Sequence, residues 1–109
     1  MTDFQTQITI DKVVFYDSPP DKISTALSVL KNAELGHPFD GHRLIAVDAN
    51  SLSIEPPFTE VVQSKLDGAN RVSEIHSIIF ALLKDNRDQF GNARNIIPRF
   101  EVVYNFTEP

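Results

Sequence analysis

Histidine can ligate a metal or move protons near neutral pH, and this chain has three. Two of them, His37 and His42, bracket Asp40 in the stretch ELGHPFDGHRL, residues 34–44. Two imidazoles and a carboxylate are a ligand set for zinc or another first-row metal. With an open coordination position, such a set could also activate water. His37, Asp40 and His42 are therefore the candidate metal residues. Their spacing is not the i, i+4 histidine pair of a helical H-E-x-x-H motif. In an extended segment His37 and His42 point to opposite faces, so only a tight turn at Asp40-Gly41 would bring them together. The same residues also read as a connector. Gly36 closes a helix, Phe39 anchors the loop in the core, and Asp40-Gly41 turns the chain into a strand.

The third histidine, His76, follows Glu74 by two residues on a helical stretch. Acid–base work there would need a cleft and a partner to orient the ring. Other catalytic signatures are missing. There is no G-x-S-x-G elbow. The four glycines, Gly36, Gly41, Gly68 and Gly91, form neither G-x-G-x-x-G nor a Walker A loop. With no cysteine, thiol nucleophiles, thiolate zinc sites and disulfides are all excluded, and a reducing compartment fits. The hexapeptide Gln89-Phe-Gly-Asn-Ala-Arg94 is similar to a stretch of the C-terminal lid of some AAA+ ATPases, where an arginine senses nucleotide. The chain has no phosphate loop and is too short for that ATPase core, so no role passes to Arg94. No cofactor is expected, and the balance of motifs weighs against an enzyme.

Ten basic and fifteen acidic residues give a net charge of −5. The basic residues are dispersed from Lys12 to Arg99 without a linear cluster, which argues against nucleic acid as a partner. Residues Met1 to Gln7 have neither a basic nor an apolar leader pattern, so no signal peptide is expected. No apolar run approaches the ~20 residues of a membrane span. A cytoplasmic location is the expectation.

These residues need a scaffold, and periodicity predicts one. From Gln5 to Tyr16, Thr6, Ile8 and Ile10 alternate with polar residues, after which Val13 and Phe15 take the opposite parity; a bulge near Asp11-Lys12 accounts for the switch. Ser18 is the expected N-cap of a helix from Pro19 to Glu34, with Ile23, Ala26, Leu27, Leu30 and Ala33 as its stripe and Gly36 as its stop. Arg43–Asp48 and Ser51–Glu55 form a hairpin through Asp48-Ala-Asn-Ser51, and Pro56-Pro57 ends it. Residues 58–66 read equally as a short helix or as an extended segment, and Asp67-Gly68-Ala-Asn70 breaks them off. A second helix, Arg71 to Asp85, follows with Val72, Ile75, Ile79, Leu82 and Leu83 on one stripe. The last strand, Arg99 to Phe106, puts Phe100, Val102, Tyr104 and Phe106 on one face.

The order strand, helix, strand, strand, helix, strand is the split βαβ pattern. The expected fold is a single α+β domain over residues 1–109, a ferredoxin-like two-layer sandwich. Its sheet is mainly antiparallel and both helices cover one face. Val13, Val14, Ile45 and Val47 leave apolar residues on both faces of neighbouring strands, and a sheet apolar on both sides needs a second cover. The expected function is therefore non-catalytic. The chain binds other protein chains, its own copies included, as an accessory or assembly subunit of bacterial or phage origin. Val14, Tyr16, Val103, Tyr104 and Phe106 are the expected interface. The rival expectation is a metal- or ligand-binding protein, or an enzyme, built on the His37/Asp40/His42 loop.

Overall fold

The structure is a computed structural model that describes residues 6–31, 33–90 and 97–107. Its elements in order are β1 (Thr6–Tyr16), α1 (Pro20–Leu30), β2 (Arg43–Asp48), β3 (Ser51–Val62), α2 (Lys65–Asp85), a short 3-10 turn (Arg87–Phe90) and β4 (Arg99–Thr107). The fold is α+β, with a four-stranded sheet in the order β2-β3-β1-β4 and every neighbouring pair antiparallel. Each helix joins two strands that have a third strand between them. β3 lies between β1 and β2, and β1 lies between β3 and β4.

The core follows strand parity. Ile8, Ile10, Val13 and Phe15 are buried, and the switch between Ile10 and Val13 is a register shift at Asp11 against both neighbouring strands. Ile23, Ala26 and Leu30 of α1 and Ile75, Ile79 and Leu83 of α2 join these residues in one core, so both helices pack on the same side of the sheet. The other face has no cover among the described residues.

Four boundaries differ from the periodicity reading. Ser18 does not cap α1. Pro19 holds the N-cap position without a side-chain bond, and Ser18 Oγ instead donates to Tyr16 O at 3.0 Å and accepts from Arg99 N at 3.0 Å. That serine ties the end of β1 to the start of β4. The helix also ends at Leu30, not Glu34. Had it continued, Leu35 would lie about 140° around the axis from Leu30, facing away from the core. The chain leaves the helix instead, and both Leu35 and Phe39 are buried. Gly36, at φ +83°, thus belongs to the connector and not to a helix end.

β3 runs straight through Pro56-Pro57, which were expected to end it. Prolines cannot donate to a ladder, and here none is asked of them. β2 begins at Arg43 opposite Glu55, so it does not reach the prolines. On the other side, the pairing jumps from Lys12↔Ser53 to Ile10↔Phe58, leaving both prolines in the irregularity opposite Asp11. Residues 58–62 are therefore extended and pair with Thr6–Ile10. α2 then starts at Lys65, six residues before the expected Arg71. Ser64 is its N-cap, accepting from Asp67 N at 3.2 Å, and Asp67 sits in the first turn where a carboxylate complements the helix dipole. Gly68 is not a breaker. It brings the helix close to β4: a Cβ there would lie 2.5 Å from Phe106 Cε1.

Candidate functional site

The connector between α1 and β2 forms two tight turns, with Phe39 N donating to Gly36 O and His42 N to Phe39 O. Phe39 is fully buried and meets the Phe58 ring edge-on at 4.8 Å. It anchors the loop, as expected. The turns separate the three candidate ligands. His37 Nδ1 lies 3.1 Å from Asp40 Oδ2, and this pair is out in solvent, with side chains 90% and 68% exposed. His42 turns the other way. Its Nδ1 lies 2.6 Å from Pro56 O, and its ring stands edge-on to Phe58. A carbonyl only accepts, so Nδ1 carries the proton and donates. His42 therefore fastens the connector to the proline segment of β3. Among the described residues no three His, Asp or Glu side chains come together to hold a metal ion. His37 and Asp40 are brought together, and His42 is not with them.

His76 is not oriented for acid–base work by its helix neighbour. Glu74 receives Arg71 Nη1 at 2.9 and 3.0 Å, while Arg71 Nε donates to Glu60 on β3 at 2.7 Å. The hydrogen bond to Glu60 is the main reason the Arg71 guanidinium is held more firmly protonated than usual, with both carboxylates adding to it. This cluster pins α2 to β3. His76 itself stacks on Phe100 with ring centroids 4.4 Å apart and planes at 21°.

Comparison with protein-family models, with curated proteins and with solved structures returned no match for this chain.

β4 is a terminal strand of the sheet. Register with β1 sorts the expected interface residues into two sets. Val103 pairs with Lys12, on the uncovered face shared by Val14 and Tyr16. Tyr104 pairs with Ile10 and Phe106 with Ile8, which places both on the helix-covered side. Phe106 is half-buried under Gly68, with Lys65 Nζ 5.9 Å from its ring centroid and Tyr104 edge-on at 5.7 Å. Val103, Tyr104 and Phe106 thus lie on the terminal strand and Val14 and Tyr16 on the strand beside it, and the five do not share one face.

Two further side chains belong to this margin and were not assigned to it from sequence. Phe80 lines an open recess with Tyr16, His76, Pro98, Arg99 and Phe100. Leu66 lies about 40° around the α2 axis from Phe80, on the same flank. The signal for Leu66 was hidden because residues 58–66 admitted two secondary structures. Along the margin Leu66 is 71% exposed, Phe80 and Tyr16 45%, Tyr104 43% and Val103 36%. The opposite margin exposes Ile45 and Val47 on β2. Among the described residues no helix is long and apolar enough to cross a membrane, so these side chains are not part of a helical span.

Proposed function

We propose that this chain is a small non-catalytic binding or assembly module that works by docking other protein chains, copies of itself included, along the β4 side of its sheet. We read the element order as that of a ferredoxin-like sandwich, with the helices covering one face and, among the described residues, nothing covering the other. One observation carries the reading. Tyr16, Leu66, Phe80, Val103 and Tyr104 are large, apolar or aromatic, and exposed, and they surround a single sheet edge. An unpaired edge bordered by apolar groups on both faces offers a partner main-chain hydrogen bonds and burial together. A cytosolic accessory subunit fits a chain without cysteine.

The test is protection of the edge. Amide hydrogen exchange in β4 is followed with the protein dilute and concentrated, and with native-source lysate added. The reading expects the Val103 and Tyr104 region to gain protection under at least one condition, and Phe80→Lys to abolish the gain. It fails if β4 exchanges identically throughout and light scattering shows a strict monomer.

A further inference from the structure

The two margins of the sheet are built differently. β2 has six residues, a register shift at Val47, and charged residues at both ends, Arg43 and Asp48. Short length, bulges and charges keep an edge from pairing with another chain. β4 has nine residues with no proline or glycine. The bulge beside it belongs to β1, at Asp11, so β4 itself runs without an extra residue. Its charges are Arg99 at the end and Glu101. Among the described residues one edge is protected and the other is not.

The geometry points to a second copy of this chain as the occupant of the β4 edge, paired antiparallel about a two-fold axis through Val103. This proposal rests on the binding reading above and names its partner and register. The axis at Val103 uses the whole strand, because Arg99 then faces Thr107. It sets Glu101 against Asn105, Phe100 against Phe106, and Val102 against Tyr104. No like charges oppose each other, and aromatic side chains meet across the axis on the helix side. An axis at Glu101 would oppose two carboxylates. An axis at Phe100 would match Arg99 with Glu101, but only those three residues of β4 would pair.

The helices agree with this register. Gly68 of α2 lies over Phe106 and His76 lies over Phe100. The two-fold brings the Phe106 end of one copy to the Phe100 end of the other. Leu66 of each copy therefore approaches Phe80 of its mate. The product is one continuous eight-stranded antiparallel sheet with four helices on one face.

The absence of cysteine makes the test direct. In Val103→Cys the two thiols lie on the axis, on directly opposed residues whose Cα atoms are about 4.5–5.5 Å apart, within disulfide reach. Mild oxidation is expected to link most of the protein as a dimer. Glu101→Cys alone is expected not to link, since its two copies lie about 14 Å apart along the strands. Mixed with Asn105→Cys, it links to that variant. Val47→Cys, more exposed and on the β2 margin, controls for collision. A second variant protects against misfolding. Val103→Glu faces Lys12 within its own chain, so its melting transition is retained, while two glutamates on the axis weaken dimerisation at least tenfold. A wild-type monomer at all concentrations overturns the proposal. So does a dimer in which Val47→Cys links and Val103→Cys does not, although association through the sheet then stands. A monomer whose β4 amides become protected only with lysate also overturns it, and leaves the broader binding reading intact.

Discussion

Asp48 ties the β2–β3 hairpin with a single carboxylate oxygen. Oδ1 accepts from Asn50 N at 2.8 Å and from Ser51 Oγ at 2.8 Å, and Ser51 is buried as a result. The backbone N–H of Asn50, then the Ser51 hydroxyl, hold the Asp48 carboxyl below its usual range, with Lys12 adding to the effect. The charged form is favoured by folding, so the unfolded chain binds more protons at this site. Its stabilising effect is complete above the unfolded pKa and is lost as pH falls through the folded one, in the region below about pH 4. Asp48→Asn keeps an acceptor oxygen and removes the titration. Urea midpoints are expected to show wild type ahead at neutral pH, with the gap closing as the solution is acidified; a constant gap would contradict this account. The turn itself was legible, because Asp and Asn at a two-residue connection accept from the backbone just ahead of them. The histidines were legible only as residues. Whether His42 faces His37 or Pro56 depends on a strand fourteen residues away, which no local spacing reports.

At the scale of elements, parity carried most of the information and contacts distant in sequence carried the rest. The switch from Ile8 and Ile10 to Val13 and Phe15 disclosed the bulge at Asp11, because a strand changes faces only by inserting a residue. Pro56-Pro57 were misleading for the complementary reason. A proline is excluded from a strand only where a neighbour needs its N–H, and that is a property of the neighbours. Gly68 misled similarly, since its glycine character answers to Phe106 and Ile8 and not to a turn. Gly68→Ala makes this measurable. Alanine gains about 1 kcal/mol of helix propensity, while intrusion on the Phe106 ring costs about 1–3 kcal/mol. A net loss of about 1 kcal/mol is expected in denaturant unfolding. In a Phe106→Ala background the closest obstruction is gone and Ile8 Cδ1 at 3.2 Å remains, so the same change is expected to stabilise by up to about 0.8–1 kcal/mol, less whatever Ile8 must give. A stabilising Gly68→Ala in the wild type would mean that the half-buried ring swings aside freely.

For the whole molecule, the sequence indicated that apolar side chains stand on both faces of the sheet, but not which strand ends it. Edge position follows from the crossovers that put β1 and β3 in the centre, and it decides that Val103 and Tyr104 border backbone left open among the described residues while Val14 does not. Net charge then distinguishes how two such edges meet. Each chain carries −5, so two chains repel before they touch. Pairing centred on Val103 sets no opposite charges face to face, and its gain is apolar burial and backbone hydrogen bonding. Salt screens the repulsion, with a Debye length falling to about 10 Å at 0.1 M, and does not weaken the apolar contact. Dimerisation measured by light scattering over a dilution series should therefore tighten several-fold from low to high sodium chloride. Pairing centred on Phe100 has a weaker dependence, because screening of its two Arg99–Glu101 ion pairs offsets part of the screened repulsion. A dissociation constant that rises with salt would thus exclude the Val103 axis.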